Sequence, residues 1–459
     1  MPFDLAQIVR ARAAEHRSLY DRYVNPQMGR VVRALGFDRT WVRAEGAVLV
    51  DADGHEYLDT LSGWGVFNLG RNHPTVVKAI ADLLALERAN LVQMDTPLLA
   101  GLLAEALAAR APADLGQAHF TNSGTEASEA ALKFARYATG RTRVVYCANG
   151  YHGLTYGALS AMGHEYFRRG FGPLLAGFTD VPFGDLEALE RQLAARDVAA
   201  FITEPIQGGG VHLPPDGYLA EARRLCERYG TLLVLDEIQT GLGRTGRLFA
   251  LEHYGVVPDM LLLAKALSGG LVPVGAVLLR PDVYRRVFHT MERCVVNSAT
   301  FAENDLAMAA GLATLDAIDE ERLVERAARA GARLAAGLER LKAESEFVKD
   351  VRGLGLMVAV EFGEPRSRRL KLGWRSLRAM REGLFAQMVV MALFERHRIL
   401  GQSAGSASEV VKLIPPLVVT DAQIDHLVAS LGSVLRDAAR FPGGLWDIGV
   451  RLARLAAAS

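Results

Sequence analysis

Six short, mostly apolar runs recur through the middle of this chain: QAHF (117–120), RVVYCA (143–148), AAFITE (199–204), TLLVLD (231–236), MLLLA (260–264) and VGAVLL (274–279). Runs that do not alternate with polar residues predict strands covered on both faces, which calls for a mostly parallel sheet with helices on either side. The segments between them supply helices. EASEAALKFARYA (126–138) and YLAEARRLCERYG (218–230) carry apolar residues at helical spacing. The fold class is α/β.

The flanks read differently. WVRAEGAVLVDADGHEYLDT (41–60) alternates like a strand, breaks at Asp53-Gly54 and resumes, which predicts a hairpin. Residues 319–345 predict one long Arg/Glu/Ala/Leu helix whose charges form a solvated face, leading to a smaller C-terminal domain that begins near VRGLGLMVAVEFG (351–363). A chain of 459 residues is long enough for two domains.

Charge removes some function classes. The 52 basic and 52 acidic side chains cancel, so no electrostatic argument favours nucleic acid as a partner. Cys147, Cys226 and Cys294 are widely spaced, match no metal-ligand pattern and read as small core residues in a reduced compartment; no metal is expected. The N-terminus lacks the apolar core of a secretory signal and no run is long enough to span a bilayer, so the expected location is the cytoplasm.

In an open α/β sheet, ligands bind beyond the carboxyl ends of the strands. The first strand leads into TNSGTEASEA, where Ser123, Gly124 and Thr125 open a helix and form an anion site or an ordinary N-cap. After the second, Tyr151 lies between Gly150 and Gly153, where it could stack on a flat ligand or simply fill a turn. The third ends in Glu204 followed by PIQGGG, and the fourth in Asp236, a carboxylate after an apolar run that needs a cationic partner. The fifth delivers Lys265 into ALSGG. One ligand accounts for all five. Pyridoxal phosphate needs a lysine amine for a Schiff base, a carboxylate against its ring nitrogen, an aromatic stack and a helix N-terminus for its phosphate.

With these residues in place, the chain resembles the class III (subgroup II) aminotransferases, which are fold type I pyridoxal phosphate enzymes. The likeness runs from LSGWGVFNLGRNHP (61–74) through NSGTEASEAALKFAR, YHG, EPIQGGG, LDEIQTGLGRTG, LLAKALSGG and NSATFAENDLA to KLIPPLVVTDAQID (412–425). It implies a large domain around a seven-stranded, mostly parallel sheet and a smaller α+β domain built from both termini. Residues 1–74 would join the small domain, 75–325 form the cofactor domain and 326–459 complete the small one. It also implies roles: Lys265 for the Schiff base and proton transfer, Asp236 on the ring nitrogen, and Gln239 near the phenolic oxygen. Ser123, Gly124 and Thr125 would hold the phosphate and Tyr151 would stack on the ring. Thr300, in NSATF, would reach the phosphate of the neighbouring subunit in a homodimer with shared active sites. His152 reads as structural. The implied reaction is ping-pong transamination between a small-molecule amino donor and a carbonyl acceptor.

The substrate is set by finer features. Many members of that family place an arginine just before the apolar-Pro-Pro segment to grip a carboxylate; this chain has Lys412, which keeps the charge without the planar fork. Lys412 and Glu204 are candidate substrate contacts and could pair with each other. The substitution weakens an acetylornithine or ornithine reading. GVFNLGRNHP and FGPLLAGFTDVPFGDLEALERQL (171–193) resemble the diamine enzymes, while the long segment 363–400 resembles a branch that aminates lipid side chains such as hopanoids. The expected substrate is therefore a primary amine or terminal aldehyde, with acetylornithine/ornithine-type and 4-aminobutyrate-type transamination as alternatives, and an aminomutase or decarboxylase as same-fold ones. A cofactor-binding protein without catalysis would not need both Lys265 and Asp236. The basic residues Arg366, Arg368, Arg369, Lys371 and Arg375 read as a solvated loop rather than a peripheral membrane contact, and Trp446, Val450 and Leu455 in the tail read as packing on their own domain.

Overall fold

The computed structural model describes residues 3–92, 94–404 and 408–457. Seven strands form the central sheet: β1 (Gln117–Thr121), β2 (Arg143–Cys147), β3 (Phe178–Val181), β4 (Val198–Thr203), β5 (Leu232–Asp236), β6 (Met260–Leu263) and β7 (Gly275–Leu279). Their order is β1-β7-β6-β5-β4-β2-β3. All run parallel except β7, which is antiparallel to both of its neighbours. Every residue of β4 to β7 is buried, the condition that the unbroken apolar runs demand. The strand absent from the sequence reading is β3: it lies on the sheet edge, exposes Asp180 and so has no continuous apolar run.

Helix α1 (Gly124–Thr139) buries Ala127, Ala130, Ala131 and Ala135 against Val144, Ile202 and Val234. Small residues on that face let the helix lie close to the sheet, and Phe134 fills the remaining space. The helix ends where Gly140 takes a left-handed conformation, as a C-terminal cap requires.

The outer regions differ from the expected pattern in three places. Residues 41–60 form three antiparallel strands, Trp41–Glu45, Val48–Asp51 and Glu56–Asp59, because Gly46 makes an additional turn. The segment 319–345 is not one helix: Asp305–Glu320 ends, Arg322 turns left-handed at φ 52, and Leu323–Glu344 begins. The basic stretch is a helix, Arg368–Met380, rather than a loop, since Leu370, Trp374 and Leu377 at helical spacing are buried. Lys371 and Arg375 pair with Glu364.

The two ends of the chain meet in the smaller region. Ile399–Leu400 adds a parallel strand to Glu56–Asp59, and a second antiparallel sheet joins Val348–Leu354, Met357–Phe362, Val410–Leu413 and Gln402–Ser403. The tail forms a helix, Gly444–Ala457, whose Trp446 is buried and donates its indole N–H to the carbonyl of Ala438 at 2.9 Å. The side chains of Val450 and Leu455 lie outside the described residues. Cys147 and Cys226 are buried as expected; Cys294 is exposed. Among the described residues, no helix is long and apolar enough to cross a membrane.

Candidate active site

β1, β2, β4, β5 and β6 are mutually aligned, so their carboxyl ends open on one edge of the sheet. The residues that follow them therefore gather there. Ser123 caps α1, its hydroxyl accepting from the Glu126 N–H at 3.3 Å. The N–H groups of Gly124 and Thr125 precede any intrahelical partner and point out of the helix start. A Cβ on Gly124 would meet Ile238 Cδ1 at 2.8 Å, so the loop after β5 packs directly on this helix end.

Asp236 closes β5 and is almost fully buried. Its Oδ2 lies 2.7 Å from His152 Nδ1, and its Oδ1 accepts the Ile238 N–H at 3.0 Å. Burial pulls the His152 imidazole toward its neutral form, but the bond and charge of Asp236 outweigh it and hold its pKa above the ordinary value. His152, read from sequence as structural, is thus the direct partner of Asp236. The two are 84 positions apart, and only strand order brings them together.

Lys265 leaves β6 in a left-handed conformation, φ 44, unusual for a side-chain-bearing residue and a form of strain concentrated at functional sites. Burial lowers its pKa, and the charges of Asp236 and Glu204 partly restore it. A lysine held this way has more of the free amine that a nucleophile requires.

Glu204 is buried after β4 and accepts two backbone N–H groups, from Tyr151 at 3.0 Å and Gly208 at 2.8 Å. Desolvation raises its pKa. Tyr151 itself is partly exposed and meets Phe167 edge to face. Lys412, on the strand Val410–Leu413, enters from the smaller region and donates to the carbonyl of Gly208 at 2.8 Å and to Gln239 Oε1 at 3.0 Å. Burial, with the charge of Lys265 nearby, lowers its pKa to about 7. Among the described residues no ion pair joins Lys412 to Glu204, contrary to the pairing considered from sequence; Gly208 stands between them.

Gln239 continues the network by donating to the carbonyl of Trp64 at 2.8 Å. Trp64 sits in the left-handed region, is 58% exposed and had no role in the sequence reading. Two other buried charges also escaped it. Glu237 accepts the N–H groups of Ala250 and Leu251 at 2.6 and 2.7 Å. Arg244 donates to the carbonyls of Leu356 and Pro415 and to Asn68. An acidic residue directly after an apolar strand, as in Asp236-Glu237, was the available signal for the first. Thr300 is exposed, and no hydrogen bond among the described residues joins it to the other candidates.

The profile of the family described as Aminotransferase class-III matches residues 33–435. A putrescine aminotransferase from Pectobacterium atrosepticum is 41% identical, with 91% of this chain and 88% of that protein aligned. The aminotransferase PigE of a Serratia species is 37% identical across 92% of this chain, which spans only 53% of PigE. Among solved structures, an omega-transaminase from Thermomicrobium roseum superposes with a TM-score of 0.80 at 30% identity, covering 96% of this chain and all of that one (100%). The ornithine aminotransferase of Toxoplasma gondii superposes with a TM-score of 0.77 at 34% identity, covering 86% and 90%.

Proposed function

This chain belongs to the class III aminotransferases, which work with pyridoxal phosphate, and from that membership we propose that it moves amino groups between an α-amino acid and a terminal amine or aldehyde, a small diamine being the favoured substrate. The residues present suit the cofactor. The tight start of α1 offers N–H groups to a phosphate, Asp236 is a buried carboxylate fixed by His152, and Lys265 is an amine with a lowered pKa. When bound, pyridoxal phosphate supplies a carbonyl that condenses with amines and a ring nitrogen that draws off the electrons of the breaking bond.

The chain's own residues have four tasks. Ser123, Gly124 and Thr125 would hold the phosphate, and Tyr151 would stack on the ring. Asp236 would set its carboxylate against the ring nitrogen, held in place by the 2.7 Å contact of its Oδ2 with His152 Nδ1 and by the Ile238 N–H on its Oδ1. Lys265 would anchor the cofactor through its amine and, once freed, would serve as the general base for the proton on the substrate carbon. Gln239, whose Oε1 accepts from Lys412 Nζ and whose amide N–H donates to the Trp64 carbonyl, would lie near the ring's phenolic oxygen.

The observation that carries the substrate reading is Lys412. A single lysine amine, with its pKa lowered to about 7 and already engaged on two neutral oxygens, is a poor grip for the distal carboxylate of ornithine-type or 4-aminobutyrate-type substrates. The likeness to a putrescine aminotransferase supports the same choice. A cytoplasmic homodimer completes the proposal. Thr300 from each subunit would reach the other's phosphate, and the exposed Trp64, Leu154, Tyr156 and Phe301 are apolar surface for a second copy to cover. The domain limits that go with it are 1–74, 75–325 and 326–459.

The test is a substrate panel with pyruvate or 2-oxoglutarate as acceptor. The proposal expects putrescine and longer terminal amines to give kcat/KM values at least tenfold above N-acetylornithine and 4-aminobutyrate, a gap of about 1.4 kcal/mol. The reverse order would replace the terminal-amine reading with an amino-acid one, and carbon dioxide release would replace transamination with decarboxylation.

A further inference from the structure

A row of residues crosses the smaller antiparallel sheet: Arg352 pairs with Ala359, and Ala359 pairs with Lys412. Residues paired in this way share one face of the sheet. At the usual strand spacing, Arg352 and Lys412 stand about 10 Å apart along that row, with only a methyl group between them. Both reach the same segment, the loop that follows β4. Lys412 Nζ donates to the Gly208 carbonyl at 2.8 Å. Arg352 donates from Nη2 to the Gly210 carbonyl at 2.9 Å and from Nε to the Val211 carbonyl at 3.0 Å.

The loop is held in a conformation that it would not take alone. Val211 is fully buried and β-branched, yet its φ is 54, in the region such side chains avoid. Val211 and Ile206 belong to one buried cluster with Met357, Ala359 and Val410 of the sheet. Paired backbone bonds between Gln207 and His212, at 3.0 and 3.3 Å, close the loop at its base. The charge of Arg352 is balanced by Asp350 at 3.2 Å and Glu361 at 2.6 Å, both bound to Nη1, which leaves Nε and Nη2 for the two carbonyls.

The loop position reaches the site through Gly208. Its N–H donates to Glu204 Oε2 at 2.8 Å, while its carbonyl takes the Lys412 amine. Glu204 in turn acts on the charge of both Lys412 and Lys265. One peptide unit therefore sets the arrangement of three coupled charges.

We propose that Arg352 is a positioning residue for the reaction: it grips the strained end of the loop, in the space that the short side chain of Ala359 leaves, and so fixes where Gly208 holds Glu204 and Lys412. This rests on the terminal-amine transaminase reading. Arg352 acts through the loop and not on the substrate.

The test is steady-state kinetics with putrescine and 2-oxoglutarate, with cofactor affinity and melting temperature measured on the same preparations. Arg352→Ala is expected to raise the KM for putrescine roughly tenfold, while kcat and the cofactor dissociation constant stay within about threefold of the wild type. Added methylguanidinium, which restores the planar fork, should lower that KM by about threefold or more and leave the wild type unchanged. Ala359→Val keeps the guanidinium and crowds the loop, so it should raise KM in the same sense without rescue. If Arg352→Ala does not fold, Arg352→Lys carries the same test, since a single ammonium cannot reproduce the fork on both carbonyls. A folded variant at 352 with a normal KM overturns the proposal. So does a loss that falls equally on KM, kcat and cofactor binding and that methylguanidinium does not relieve, because that pattern belongs to a general structural role. In both cases the wild type still turns over, and this inference alone fails. If the wild type turns over no amine, the transaminase reading fails with it.

Discussion

At the residue scale, Asp236 and Lys265 were legible because each is a charge at the end of an apolar strand, where a plain core would not put one. What the sequence could not reveal was the His152 contact, since its 2.7 Å bond to Asp236 depends on β2 and β5 flanking β4. Asp236→Asn removes the charge and leaves an amide facing His152. It is expected to lower kcat by more than a hundredfold, while the cofactor dissociation constant rises by no more than about tenfold; a near-normal rate would remove Asp236 from the chemistry. Lys412 carries a pH signature. Burial, with Lys265 beside it, lowers its folded pKa to about 7 from 10.5. Between those values the unfolded chain holds a proton at Lys412 that the folded chain has released. This residue's contribution therefore makes the protein more stable as pH rises through that window, and the gain is lost again as pH falls toward 7. Urea midpoints at pH 7 and pH 9 should rise less in Lys412→Met than in the wild type, and identical slopes would mean that Lys412 titrates as a free lysine.

At the element scale, the runs of buried strand were readable because both faces are covered, and each of the six lies within a residue or so of its observed place. β3 and the break at Glu321–Arg322 were not, for opposite reasons. An edge strand keeps polar residues, and a helix break set by one left-handed arginine leaves no glycine or proline as a marker. Glu237 shows how the strand ends are tied down. Its carboxylate takes the N–H groups of Ala250 and Leu251 and the hydroxyl of Thr240 at 3.3 Å, anchoring the turn that follows the glycine-rich loop. Burial pushes its pKa up to about 7. Glu237→Gln keeps one acceptor and turns an NH2 toward a backbone donor. It should cost about 1–3 kcal/mol in urea unfolding, and an unchanged midpoint would show that the turn holds without this contact.

At the scale of the whole molecule, alternation and spacing alone could not show that the chain closes on itself. The pairing of Ile399 with Leu58 spans most of the sequence, and only the family resemblance implied that both termini build the smaller region. In the proposed homodimer, the exposed apolar side chains of Trp64, Leu154, Tyr156 and Phe301 would be covered by the second copy. Sedimentation should give a particle of twice 49.7 kDa. Thr300→Ala is expected to weaken cofactor binding roughly tenfold without dissociating it. A stable, fully active monomer would contradict the shared site.

The central claim is that Lys265 holds pyridoxal phosphate in a site that amines can enter. Its most direct test is the visible spectrum of the purified protein with added cofactor, recorded before and after putrescine, for the wild type and Lys265→Ala. A wild-type band that putrescine bleaches, with a Lys265→Ala protein that melts normally and neither shows that band nor turns over, is the result this account predicts. A wild-type protein with no cofactor band, or a Lys265→Ala protein that keeps full activity, would contradict it.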